Sequence, residues 1–426
     1  MVFMVKKMLL CLMALVMLMV SARAETPLRV MIDGGWADME LMQYLRIELV
    51  ETDDIVTEIA NAFMMRNDQI DIFVFPAERG LYTVKKHGYY TPLNSSKRLM
   101  ERVKDFYPAV QRALTNDEGD LVAWVLGAGV MGMTLYQTSV LEDTGLTPPT
   151  TFGELLDCCQ AILEADALPM DTALLSDCPY TRQAVLDLYM DQYIRASQLE
   201  GGTVNFDTPD FIAMVERIGK ELPDQDHTFD NGTPDMAVFN YPVGFTEIDA
   251  DMLAMPQVLP DKAGLIDTYL SVAVVNPYSR RKKEAMSFLD HQFVGRRMST
   301  YIYDATLDEP AIGRELAADR REAEEAIAAL EALEELTADQ RDELADLRAR
   351  LSMLEASWTV SPESIAAYAA LSGGMSITEA SPVCYDDALR TAAKRYLSGA
   401  FDAQGFAKAC QDHIAMIYEE NGIPMP

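Results

Sequence analysis

Positive charge is in short supply in this chain: 35 Lys and Arg stand against 67 Asp and Glu, a formal net charge of -32. A phosphate backbone needs a basic face, so nucleic acid is excluded as a partner. Histidine is scarce too, and His87, His227, His291 and His413 are too scattered to pair at a helical ligand spacing. The 6 cysteines show no metal spacing. Cys158, Cys159, Cys178, Cys384 and Cys410 are compatible with one or two disulfides, but a chain this long needs no disulfide framework. Catalytic signatures are missing as well: no G-x-S-x-G elbow, no H-E-x-x-H, no G-x-x-x-x-G-K-[ST]. Ser279-Arg280-Arg281-Lys282 fits S-x-x-K only formally, without companion S-D-N or K-T-G strings. Carboxylates are so abundant that counting singles out no glycosidase pair. The expectation is a protein that is not an enzyme, with no cofactor and no metal.

Long apolar runs are confined to the N-terminus. Lys6-Lys7 precede an apolar stretch from Met8 to Val20, and Ala22-Arg23-Ala24 places small residues where a signal peptidase reads. Residues 1–24 therefore read as a secretory signal cleaved after Ala24, too short and wrongly flanked for a membrane anchor. Cys11 lies inside the run, not at its end, so it is no lipid-attachment cysteine. The expected location is periplasmic or extracellular. The roughly 400 residues that follow exceed one ordinary core and predict two domains.

Along the chain, Leu28–Ile32 reads as a strand entering the loop Asp33-Gly34-Gly35-Trp36, and Asp71–Phe75 as a second buried strand. Helical spacing over Ile55–Met65 between them predicts parallel strand pairing in an α/β unit. Thr151 with Glu154, and Thr337 with Gln340, form two capping boxes. Thr208 caps a helix with Pro209 at its first position. Ala237–Phe239 reads as a short strand, Met255–Pro260 as an edge segment and Leu270–Val275 as a buried strand. Ser279 is expected to cap a helix over Glu284–Phe293. From Arg314 to about Leu354 the chain turns rich in Ala, Glu, Leu and Arg, with Leu344, Leu347, Leu351 and Leu354 spaced as one side of a helical hairpin. Asp387–Leu397 and Phe406–Glu420 read as closing helices with stops at Gly399 and Gly422.

One block carries a resemblance. Gly132–Leu163, GMTLYQTSVLEDTGLTPPTTFGELLDCCQAIL, resembles the start of the second lobe in extracellular solute-binding proteins of ABC importers, with Gln137 in place of an Asn and Phe152 in place of a Trp. Gly88-Tyr89-Tyr90-Thr91-Pro92-Leu93, Phe206-Asp207-Thr208-Pro209-Asp210-Phe211 and the Asn276-Pro277-Tyr278-Ser279 turn are similar to further strings of that family. The resemblance implies an α/β, two-lobed periplasmic-binding-protein-like fold with a hinge cleft, to which an inserted helical hairpin is added. It places lobe one at 25–131 and 270–311 and lobe two at 132–269 and 358–426; the hairpin, read at 312–357 from its composition and leucine spacing, departs from the family's common pattern. It implies capture of a small solute by lobe closure and delivery to a membrane permease, with a monomer as the working unit. The alternatives are a ligand-sensing module for a surface receptor and an exported hydrolase.

The maltose-binding branch of that family supplies site expectations, with a carbohydrate as the favoured solute. Asp33 stands where the branch has a polar residue after the first strand, with Trp36 three residues on. Phe75, Glu78 and Arg79 match its aromatic and acid–arginine pair in the loop after the second strand. Tyr180 matches the Tyr of a P-Y step, Phe245 closes a string resembling G-P-W-A-W, and Tyr385 lies near its last aromatic. Val243, Cys178 and Val130 depart from the branch, replacing a stacking Trp and two acids, so a maltodextrin site copied intact is not expected.

Overall fold

The computed structural model describes residues 27–33, 47–135, 138–168, 172–175, 180–223, 236–245, 253–290, 301–304, 311–333, 335–355, 362–377 and 382–424. The leader with its cleavage position, Trp36, Gln137, Cys178 and Pro179 lie outside them. The fold is mixed α/β. Its strands are β1 (Leu28–Asp33), β2 (Ile47–Thr52), β3 (Ile72–Pro76), β4 (Trp124–Leu135), β5 (Thr172–Leu175), β6 (Met236–Phe245), β7 (Ile266–Val275) and β8 (Met375–Ile377). They form one sheet in the order β2-β1-β3-β7-β4-β6-β5, with β8 paired to β7. β1 runs parallel to β2 and β3, as the strand–helix–strand spacing predicts, whereas β7 runs antiparallel to β3 and to β4.

Local signals act where the sequence places them. Thr151 and Glu154 close a reciprocal capping box on the helix Phe152–Glu164, and Thr208 caps Pro209–Glu221 with Pro at its first position. Both remove orphan amides at a helix start. Gly422, at φ +68°, ends the helix Ala403–Asn421 in the left-handed conformation. Thr337 and Gln340 exchange hydrogen bonds of 3.0 and 3.3 Å at the start of Ala338–Glu355. That helix packs on Ala311–Glu331, where Ala323 and Leu344 are buried and Arg348 bonds Glu331 at 2.7 Å.

Several elements differ from expectation, each for a visible reason. β2 went unread because its partly buried alternation carries Glu48 and Glu51. β6 runs through Pro242 because the pairing with β4 slips there: Gly132 opposes Val243 while Thr134 opposes Asn240. The extra residue is a bulge that tolerates a proline lacking an N–H. Met133 pairs instead with Leu253, through bonds of 3.0 and 2.8 Å. β7 starts at Ile266, four residues ahead of the apolar run, since Asp267 is a buried polar residue with a partner of its own. Ser279 does not cap the helix Lys282–Asp290. Its hydroxyl donates to Asp71 Oδ1 at 2.6 Å and accepts from Arg281 N at 2.9 Å, a local turn two residues long.

Buried side chains divide into two cores. The first gathers β1, β3, most of β7 and the start of β4, with Trp124, Phe106, Tyr107, Tyr301, Tyr303 and Tyr368 as its bulk. The second is led by helices. Tyr189, Tyr193, Phe206, Phe211 and Phe406 form a chain of ring contacts with centroids 4.8–6.2 Å apart. Such pairs contribute about 0.5–1.5 kcal/mol each beyond the area they bury. The division falls within strands: Val130 belongs to the first core and Met133 to the second on β4, and Leu265 to the second and Ile266 to the first at the head of β7. Tyr368 and Met375, from the segment that the resemblance assigns to the second lobe, pack in the first core.

Candidate functional site

β1 and β3 are parallel, so their carboxyl ends open on the same edge of the sheet, where crevices in such sheets form. β1 ends at Asp33, which is buried. β3 ends at Pro76, which serves as N-cap of the helix Ala77–His87. Glu78 and Arg79 thus sit in the first helical turn, not in a loop. An acid suits that turn's positive dipole end, whereas an arginine needs another reason to be there. The reason is Asp33: Arg79 Nη1 donates to Asp33 Oδ1 at 3.0 Å and to Oδ2 at 2.9 Å. The carboxylate is 1% exposed and the guanidinium 45%, so one partner is fixed in the fold and the other faces water.

β7 carries the same edge onward. Ser271 opposes Pro76 on one side and Gly127 on the other. Ser271, Tyr269 and Asp267 alternate onto one face, reaching about 13 Å past the end of β3 at the usual strand rise. Tyr269 opposes Gly129, and a Cβ at position 129 would stand 2.1 Å from the tyrosine ring. Only glycine admits the ring there. Tyr269, Ser271, Met131 and Gly127 are half-buried, which makes this strip between the two cores a partly open polar and aromatic surface.

Asp267 closes the strip. It opposes Met131 on β4 and Ser376 on β8. Arg195, from the second-core helix Arg182–Gln198, bonds Asp267 Oδ2 through Nη1 at 2.7 Å and Asp191 Oδ2 through Nε at 3.0 Å. Burial pushes the Asp267 carboxyl above the usual carboxylate range; Arg195 pulls it back and Asp191 adds to the rise.

The sequence-derived candidates separate into groups. Asp33 and Arg79 are brought into direct contact, with Glu78 beside them and partly exposed. Phe75 is 1% exposed, within the first core against Gly80. Tyr180 is 5% exposed and packs in the second core, where burial raises its phenol above the ordinary value. Tyr385 lies at the edge of the second core, its hydroxyl bonded to Asp187 and its ring 5.2 Å below the Arg390 guanidinium. Burial and then Asp187 raise its phenol. The backbone of Phe245 pairs with Val130 at the end of β6. Sequence reading missed Tyr269, Asp267 and Arg195. A tyrosine facing a glycine across two strands leaves a trace only when the register is known.

Among the described residues no three His, Cys, Asp or Glu side chains converge as a metal site, and none of Cys158, Cys159, Cys384 and Cys410 is joined in a disulfide. Among them too, no helix is long and apolar enough to cross a membrane. No protein-family model matches the chain, and no curated protein matches it significantly.

Proposed function

We propose that the chain is an extracytoplasmic solute-binding protein, periplasmic or secreted. Two lobes close on a small solute, a carbohydrate before other classes, and present it to an ABC-transporter permease. One observation carries this reading: the two cores divide inside β4 and at the head of β7, neighbouring strands of one sheet. The chain also passes between cores between Ile377 and Val383. Passages grouped on adjacent strands suit hinge bending, because a few residues absorb the rotation while each core moves as a body. The strip over β4 and β7 is then the cleft floor, with Tyr269 as a stacking face and Asp33–Arg79 at its rim. Polar groups that orient and an aromatic face that stacks are what a sugar requires. The helices Ala311–Glu331 and Ala338–Glu355 are read as an insertion between Tyr303 and Tyr368, both of the first core.

Closure is the test. A thermal-shift screen over sugars, polyamines and peptides identifies the solute, since a ligand at 100 times its dissociation constant adds about 2.7 kcal/mol. Small-angle scattering of the protein with that solute at saturation is expected to show a smaller radius of gyration than without it. An unchanged curve overturns the hinge, and a screen without any stabilising solute overturns the function.

A further inference from the structure

Asp267 and the helix turn that supplies its partner Arg195 hold more negative charge and more hydrogen-bond acceptors than the described residues satisfy. Two carboxylates, Asp191 and Asp267, share the guanidinium of Arg195. Asp267 Oδ2 takes one of its N–H groups, while Asp267 Oδ1 is buried and accepts no hydrogen bond. Gln192, one turn before Arg195 on the same flank of the helix Arg182–Gln198, is 3% exposed, and its Oε1 accepts none either. Both atoms are acceptors, and an ionised carboxylate is nothing else, so the missing group is a donor. The surplus negative charge selects a cationic donor over a hydroxyl, because charge-assisted bonds are the stronger kind. Access exists: the Arg195 side chain is 25% exposed, that of Asp191 39%, and Tyr269 on the same face of β7 is half-buried.

We propose that Asp267 Oδ1 and Gln192 Oε1 form a subsite for an ammonium group, so that the solute carries an amine, as amino sugars and small polyamines do. The inference rests on the solute-binding reading and narrows its ligand class. Arg195 acts as the positioning residue that holds Asp267 and leaves one carboxylate oxygen to the guest. A proton is the guest's natural competitor, consistent with burial raising the Asp267 carboxyl.

The test uses the full chain and matched solutes that differ in ammonium for hydroxyl: glucosamine against glucose, and putrescine against 1,4-butanediol, by calorimetry at constant ionic strength. The amine of at least one pair is expected to bind about tenfold tighter or more, and Asp267→Asn to cut that preference below about threefold. Gln192→Glu, which adds charge at nearly constant shape, is expected to raise the preference, and Gln192→Leu to lower it. These two variants carry the test if Asp267→Asn does not fold. Equal binding of both members, a preference insensitive to either position, or no binding by either amine overturns the subsite. Its failure is separable from that of the function: scattering that reports closure around an amine-free solute leaves the binding protein standing and removes the ammonium.

Discussion

Asp33 and Asp267 are each a buried carboxylate held by an arginine from a helix, and they differ in completeness. Asp33 gives both oxygens to Arg79, within the first core's own edge. Asp267 gives one oxygen to Arg195, shares that arginine with Asp191, and draws its partner from a helix of the other core. The first pair is finished by the fold. The second spans two cores and leaves an acceptor open, which is the condition a binding group needs and a structural one avoids.

Removing each arginine separates the two cases. Arg195→Met leaves the buried Asp267 without its cation at the less exposed of the two arginine positions, and it should cost about 3 kcal/mol in chemical denaturation. Arg79→Met strips Asp33 as well, but the half-exposed Arg79 position lets water in, and the expected loss is about 1–2 kcal/mol. An equal or reversed order would show that Asp267 is already neutral in the folded protein, and the comparison would fail.

A smaller effect follows from acidity. The folded Asp267 carboxyl titrates above the ordinary 3.8, so the unfolded chain releases this proton first as pH rises. The stabilising contribution is therefore fully present below about 3.8 and is lost as pH climbs through the folded value. The melting temperature of the wild type relative to Asp267→Asn should fall as pH rises above about 4, at constant salt. A difference that grows with pH would mean that Arg195 outweighs burial.

Much of the frame was legible before the structure. The caps at Thr151, Thr208 and Thr337, the helix Asp387–Leu397 and the parallel pairing of β1 with β3 follow from local chemistry and spacing. Strands were read too short wherever a polar or small residue sits inside them. Gly127 and Gly129 hide the first half of β4, and Asp267 and Thr268 hide the head of β7. Their place in the sheet depends on partners far along the sequence. The site was half legible: Asp33 and Arg79 meet as residue types, while Phe75 and Tyr180, candidates for their rings alone, are closed inside cores. An aromatic side chain does not announce which side of a strand or helix it lies on.

The interleaving of the cores also has a temporal side. The first core draws on residues from Leu28 to Met375, and the second on residues from Met133 to Tyr418. A chain made from its N-terminus cannot complete the first core when β4 emerges, because β7, β8 and Tyr368 are still unmade. At 5–20 residues per second, the roughly 245 residues from Val130 to Met375 take about 10–50 s. For the first roughly 145 of those residues, until Val275 is made, Trp124, Val125 and the β3 edge lack β7. Local folding shelters them only in part: Phe106 and Arg102 reach the Trp124 ring early, while the strand pairing waits for β7. A product truncated before β8 therefore has no intact first core to fall back on.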